Sequence, residues 1–295
     1  MTRFVERGGH LVTVGLHKAD RRVGAMLDIV ALARVAESAD GVAPFDEATL
    51  LAVRNRPEAV TVWGDERGFG LAYGDELALL VMPGERGAGL GRELMRLVPE
   101  TATLAWSHGD HPAARALAAS YGWARARELW VMRRPSSVPL PTAGSVPDGV
   151  TVRGFAAGDE DELLRVNAAA FAHHPEQGSL SLDGLRERMA EPWFDADGLI
   201  TAWDDTTGRL LAFHWTKQHD PTSGEVYVVG VAPEAQGRGL GRLVTLAGLE
   251  HLVGRGVEEI HLYVEADNKP ALALYSGLGF GHEESDTHVQ YARRT

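Results

Sequence analysis

The 295-residue chain contains no cysteine. Disulfides and thiolate chemistry are therefore excluded, and the composition fits a cytoplasmic protein. Positive charge is scarce: 29 Lys and Arg stand against 41 Asp and Glu, a formal net charge of -12. That balance argues against nucleic acid as a main partner, because phosphate binding needs a basic face. No apolar run approaches the length that spans a membrane, and none is expected to do so. Met1 to Asp20 has no continuous apolar core, so a secretory signal is not expected either. His173-His174, His214 and His219 lack His-Glu-x-x-His or any comparable ligand spacing. They read as surface or substrate-lining residues, and no metal is expected. What remains is an ordinary globular composition, 44% hydrophobic and 24% charged, on a chain long enough for two domains.

The stretch Glu225 to Arg242 organises the rest. Glu225 to Val231 is rich in β-branched and aromatic residues and reads as a strand stopped by Pro233. Gln236-Gly237-Arg238-Gly239-Leu240-Gly241 is a glycine-spaced loop, and Leu240 to Val253 has helical apolar periodicity. A strand, a glycine loop and a helix N-terminus together make an anion cradle. Glycine lets the backbone approach, free N–H groups point outward, and the helix dipole favours negative charge. The spacing matches neither Gly-x-x-x-x-Gly-Lys-Ser/Thr nor Gly-x-Gly-x-x-Gly. The pattern Gln-x-x-Gly-x-Gly after Val-x-Pro instead resembles the pyrophosphate loop of the GNAT acyl-CoA N-acetyltransferases.

Residues 135–149 hold four prolines with Ser and Gly and no periodicity, which reads as a stiff linker. It divides an N-terminal domain (1–134) from a C-terminal domain (150–295). The two halves repeat. Setting Pro83 on Pro233, an offset of 150, brings Arg86 to Gln236, Gly89 to Gly239, Gly91 to Gly241 and Arg92 to Arg242. His111-Pro112-Ala113 likewise resembles Lys269-Pro270-Ala271. The expected architecture is α/β (α+β): two tandem copies, each a mixed, mostly antiparallel sheet flanked by helices. The expected elements include helices over 24–39, 46–55, 112–121 and 268–278. The expected strands include a hairpin over 59–73, the strands 128–133 and 288–293, and a short strand over 10–16.

Acetyl transfer from a thioester to an amine needs a base for the ammonium, a donor for the oxyanion and an acid for the thiolate. Glu225, at the start of the central strand, is the candidate base. It would act through a bridging water, since a carboxylate pKa of about 4.3 suits an amine poorly. Tyr275 is the candidate acid, in a stretch that resembles the last GNAT helix. The Val231 N–H is the candidate oxyanion donor. In the first half Asp75 stands where Glu225 does, and Leu117 or Ala118 where Tyr275 does, so that copy is expected not to catalyse.

His214-Trp215-Thr216-Lys217, Gly224 to Val231, Leu262 to Asn268 and Ala39 to Pro44 together resemble the mycothiol synthases, a family of tandem GNAT enzymes. The resemblance spans nearly the whole chain and is weaker before about Val23. It implies acetyl-CoA as co-substrate and a small thiol-sugar acceptor, cysteinyl-glucosaminyl-inositol, whose cysteinyl amine is acetylated. No metal is implied, and no nucleic acid or membrane partner. The protein would be a monomer. By position it implies substrate contacts at Glu37, Glu176, Lys217, Glu225 and Tyr263. Cofactor contacts would be Val229, Gly230 and Val231, then Gln236, Gly237, Arg238, Gly239, Leu240, Gly241 and Arg242. Asn268, Lys269, Pro270, Ala271, Leu272 and Ala273 would flank the thiol end. In the first copy the corresponding positions are Leu79, Leu80, Val81, Arg86, Gly87, Ala88, Gly89, Leu90 and Gly91. Gly87 and Ala88 stand there where the family tends to be basic. Two other readings stay open: acetylation of another amine, such as an aminoglycoside or a protein N-terminus, and acetyl-CoA sensing without catalysis.

Overall fold

The computed structural model describes residues 28–142, 144–172 and 177–294. The strand expected over 10–16, the first residues of the helix expected from Gly24, His173, His174 and Glu176 lie outside the described residues. The described chain forms two compact units. One runs to Leu129 and takes in the residues from Glu284 onward; the other is Trp130 to Glu283.

In the first unit, α1 (Ile29–Asp40) starts where Asp28 accepts a hydrogen bond from the Ala31 N–H at 2.9 Å. α2 (Glu47–Asn55) starts at Asp46, which caps the Thr49 N–H at 2.7 Å, as its sequence position predicts. β1 (Val60–Asp65) and β2 (Gly68–Tyr73) form the expected antiparallel hairpin. β3 (Glu76–Val81), α3 (Leu90–Met95), β4 (Leu104–Ser107), α4 (Pro112–Ser120) and the start of β5 (Trp123–Pro135) follow. β3 pairs antiparallel with β2 and parallel with β4. Phe69, Leu71, Val62 and Ala52 centre one core beneath the helices, and Trp63, Leu94, Ala102 and Trp123 centre another.

The second unit repeats the plan. β6 (Val150–Gly154), α5 (Glu160–Ala170), α6 (Leu182–Met189), β7 (Leu199–Asp204), β8 (Leu210–Gln218) and β9 (Ser223–Val231) lead to α7 (Leu240–Gly254). β10 (Glu259–Glu265), α8 (Lys269–Ser276) and β11 (Gly281–Arg293) complete the chain. β6 to β9 pair antiparallel in order, and β10 joins β9 in parallel. Each copy is therefore a mixed, mostly antiparallel sheet with helices against it.

Two elements depart from the sequence pattern. β5 and β11 each run 13 residues, longer than the strands expected over 128–133 and 288–293. The residues added to β11, 281–287, are mostly polar and exposed, and those added to β5 mix Trp123 and two alanines with three arginines and a proline, so hydrophobic alternation does not mark either extension. The units divide at Leu129/Trp130 and at Glu283/Glu284, not at the proline-rich stretch. The last strand lies in the first unit, where Val289 to Ala292 pair antiparallel with Ser107 to Leu104 of β4. The proline-rich residues lie in the second unit. There the Ser136 N–H donates to Glu258 O at 2.8 Å, and the fully buried Arg134 guanidinium donates to the carbonyls of Leu278, Pro135 and Val138. Among the described residues no helix is long and apolar enough to cross a membrane.

Candidate active site

The site begins with a mismatch between parallel neighbours. β10 keeps register with β9 only from Glu259↔Ser223 to Leu262↔Val226, while β9 continues to Val231. On the other side β8 follows β9 to its end, with a bulge that skips Tyr227 between Trp215 and Thr216. The Ala232 N–H donates to Leu211 O at 2.8 Å. Antiparallel pairing alternates, so Gly230 also turns its backbone groups to β8, and Val229 and Val231 turn theirs to the side that β10 has left. The sequence reading grouped 229–231 as one cofactor-binding run; the backbone geometry distinguishes Gly230 from its neighbours.

Beyond Val231 the chain enters the glycine loop. Gln236, Gly237, Arg238 and Gly239 are exposed, and Leu240 is buried as the first residue of α7. Gly237 and Gly239 both have φ 76°, a left-handed conformation that favours glycine. No side chain caps α7, so the N–H groups of its first turn, including Gly241 and Arg242, face outward at the positive end of a 15-residue helix. This is the strand, loop and helix arrangement that the sequence predicts.

The other wall is α8. The Asn268 carboxamide accepts from the Ala271 N–H at 3.2 Å, and Pro270 sits in the first turn. Asn268, Lys269, Pro270 and Ala273 are exposed, and Ala271 and Leu272 are partly covered. Tyr275 lies on the same helix, its ring 5.9 Å from that of Phe280. Burial raises its phenol to about 12, so it stays protonated at neutral pH.

Glu225 lies one residue before the end of the β9–β10 pairing and is only 6% exposed. It is opposed by Lys217 on β8 and by His261 on β10. The hairpin joining β8 to β9 brings His219 back to the same carboxylate, with Nε2 2.7 Å from Glu225 Oε2. Asp220 holds that hairpin by accepting from Thr222 N, Thr222 Oγ1 and Ser223 N. Burial alone would push the Glu225 carboxyl up. The His219 hydrogen bond, with the charges of His261, His219 and Lys217, outweighs it and holds the carboxyl below the ordinary range. His261 Nε2 is 3.9 Å from Glu225 Oε2, and burial pushes its imidazole toward the neutral form. The heteroatoms of His219, Glu225 and His261 lie within 4.8 Å of one another. A 2.7 Å contact is a hydrogen-bond distance, and the opposing Lys217 ammonium disfavours a bound cation. His219 and Glu225 therefore form a hydrogen-bonded pair, with His261 beside it at ion-pair distance.

Lys217 itself is buried in an aromatic box. Its Nζ lies 4.7 Å from the Trp193 ring centroid and 5.1 Å from that of Tyr227. The Tyr227 hydroxyl accepts from Arg188 Nε at 2.9 Å. Tyr263 is 45% exposed on β10, its ring edge-on to His261 at 5.7 Å. Lys217 and Glu225 thus stand opposite one another, and Tyr263 adjoins His261 on the neighbouring strand. Glu37 is an exposed residue of α1 in the first unit. Sequence reasoning missed His261, which becomes visible only once β10 is set in register beside β9. It also placed His214 at the surface or the substrate, which is incorrect. His214 is fully buried beneath α7, Nδ1 3.1 Å from Val244 O, and burial lowers its imidazole to about 4. Gly248 makes that contact possible, because a Cβ there would lie 2.1 Å from His214 Nδ1.

The first unit has the same scaffold with different contents. β3 and β4 keep register only over Glu76↔Leu104 and Leu77↔Ala105. The Met82 N–H donates to Arg67 O at 2.9 Å, so Leu80 also pairs with β2, while Leu79 and Val81 face away from it. Here Arg86 Nε donates to Val81 O at 3.0 Å, and its guanidinium holds Asp40 at 2.6 and 2.8 Å. A Cβ on Gly91 would meet Leu117 at 3.1 Å, and the Tyr121 hydroxyl donates to Arg92 O at 2.8 Å. α4 is thereby fastened to the start of α3. Gly87, Ala88 and Gly89 are exposed, Leu90 is partly covered, and α3 is only 6 residues long. A cavity of about 320 Å³, open to solvent, is lined by residues of this unit that include Asp46, Glu76, Trp106 and His108.

Residues 168–280 match the model of the Acetyltransferase (GNAT) family. A mycothiol acetyltransferase of Nocardioides sp. is 55% identical over 294 residues, covering 93% of this chain and 99% of that protein. One from Actinosynnema mirum is 47% identical, covering 90% and 94%. Among solved structures, a tandem GNAT protein from the clavulanic acid biosynthesis pathway superposes with a TM-score of 0.67 at 22% identity, covering 88% of this chain and 92% of that one. It shares the fold. The chain belongs to the mycothiol acetyltransferases, within the GNAT acetyltransferase family.

Proposed function

We propose that this protein transfers the acetyl group of acetyl-CoA to the cysteinyl amine of cysteinyl-glucosaminyl-inositol, forming mycothiol. The observation that carries the proposal is the buried Glu225 cluster beside the place where β9 and β10 part, in a chain 55% identical to a mycothiol acetyltransferase. The cofactor runs along the cleft. Its pyrophosphate takes the N–H groups of Gln236 to Arg242, and its pantetheine arm pairs with Val229 and Val231. Asn268 to Ala273 flank the thiol end. The Val231 N–H stabilises the oxyanion as the amine attacks, and the protonated Tyr275 phenol gives its proton to the departing thiolate. Lys217, Glu225 and Tyr263 meet the polar acceptor, with Glu176 as a further contact. The first copy supports the reaction without catalysing it. Asp75 stands at its base position, Leu117 covers Gly91, and Arg86 already occupies the Val81 carbonyl.

The test follows CoA release with acetyl-CoA and cysteinyl-glucosaminyl-inositol, beside a panel of aminoglycosides and amino-terminal peptides. The expected result is turnover of the cysteinyl substrate alone. Tyr275→Phe is expected to lower kcat about 10²-fold, within the range of a lost general acid, with the KM for acetyl-CoA unchanged. Turnover of another amine in preference would remove the named substrate. Tight acetyl-CoA binding without turnover of any amine would favour a sensor.

A further inference from the structure

We infer that the proton of the substrate ammonium is taken by His219, with Glu225 as the carboxylate that orients and stabilises its ring. The inference deepens the proposed function and rests on its placement of the amine beside Glu225.

Three observations support it. First, Glu225 is a poor base as it stands: buried, hydrogen-bonded and facing an ammonium, it is held below the ordinary carboxylate range. An imidazole nitrogen with a free lone pair suits an amine better than a carboxylate held in this way. Secondly, the Nε2···Oε2 contact of 2.7 Å fixes one tautomer. With Nε2–H donating to the carboxylate, Nδ1 carries the lone pair, which is the logic of a carboxylate-oriented histidine base. The hairpin holds the ring there, since the His219 N–H donates to Ser223 O at 2.9 Å and Asp220 locks the turn. Thirdly, the reaction must discharge a proton. The ammonium brings three N–H bonds, the amide keeps one and the thiol takes one, so one proton leaves per turnover. The Glu225 side chain is 8% exposed, whereas that of His219 is 36% exposed. His219 is therefore the member of the pair with an exit to water.

In the step itself an ammonium N–H bond breaks, directly or across one water, and Nδ1–H forms on His219. The imidazolium is stabilised by the Glu225 carboxylate. Water then takes the Nδ1 proton, and the ring returns to the same tautomer. Around it stand Glu225 on β9, Lys217 on β8, Asp220 in the turn, and His261 stacked at 5.1 Å on β10. His261 is kept neutral by burial, and it in turn feels His219, Arg133 and Glu259.

The test compares full-length wild type, His219→Gln, Glu225→Gln and His219→Ala in kcat/KM from pH 5.5 to 9.5. Far-ultraviolet circular dichroism and acetyl-CoA affinity serve as folding controls. His219→Gln keeps a donor for Glu225 but cannot accept a proton. It is expected to lose about 10²-fold or more in kcat/KM, with the acidic limb of the profile lost and acetyl-CoA affinity unchanged. His219→Ala is expected to recover activity in imidazole buffer. Loss of activity in Glu225→Gln together with wild-type rate and pH profile in His219→Gln would overturn the inference and leave the site assignment standing. Full activity in Glu225→Gln would instead remove the site assignment itself. If His219→Gln misfolds, absence of imidazole rescue in folded His219→Ala decides against the inference.

Discussion

Arg134 shows how a single residue can tie a stretch that looks like a linker. It is fully buried, and among the described residues its guanidinium bonds only to backbone carbonyls, those of Leu278, Pro135 and Val138. Carbonyl oxygens satisfy the donors but do not cancel the charge, and burial lowers the arginine from its ordinary value. Arg134→Met would keep much of the hydrocarbon and strand the buried Leu278 carbonyl together with the part-buried carbonyls of Pro135 and Val138. The expected loss is about 2–4 kcal/mol, read from urea unfolding. A loss below about 0.5 kcal/mol would mean that water satisfies those carbonyls equally well. None of this was legible in the sequence. Four prolines suggested a spacer, and an arginine at the end of a strand gives no sign of whether its side chain turns inward. Asp46 is the contrary case, because a capping carboxylate bonds within three residues of itself, whereas Asp28, which caps α1 in the same way, falls inside the helix expected over 24–39.

At the scale of elements, the strand, glycine loop and helix around Gln236 were legible because each depends on local chemistry. Pro233 stops the strand, glycine takes the left-handed turn, and the apolar period of Leu240 to Val253 marks the helix. The parting of β9 from β10 was not legible, since it depends on a register that spans 36 residues of sequence between Glu225 and His261. The difference between the two loops follows from their neighbours. α7 presents an uncapped first turn on 15 residues, whereas α3 has 6 and carries Leu117 and Tyr121 of α4 over its start. Titration is therefore expected to find one tight acetyl-CoA per chain. Gly239→Ala, which forces an alanine to φ 76°, is expected to weaken that binding by about 10-fold while costing about 1 kcal/mol of stability. Two equal sites by equilibrium dialysis would show that Leu117 and Arg86 yield readily to the cofactor.

At the scale of the whole molecule, the repeat in the sequence and the compact units in space do not share boundaries. The chain's last strand closes the first unit: Val289 is fully buried and Tyr291 is 5% exposed in the core of Trp63, Leu94 and Trp123. Tyr291 also donates to Asp110 at 3.3 Å, and the Arg293 N–H donates to Thr103 O at 2.8 Å. A sequence repeat reveals that two copies exist, but it does not reveal which strand completes which copy, because strand partners are chosen by pairing and burial rather than by order along the chain. The consequence is testable at the far end of the protein. Truncation after Glu283 removes two core side chains and the antiparallel partner of β4. At about 1.5–3 kcal/mol for each buried side chain, the first unit is expected to lose roughly 3–6 kcal/mol. Hydrogen exchange should register this as lost protection in Leu104 to Ser107, nearly 180 residues from the deletion, while β8 and β9 around Glu225 keep theirs. Unchanged protection of β4 in the truncated chain would mean that the first half closes its own sheet, and the boundary at the proline-rich stretch would then be the true one.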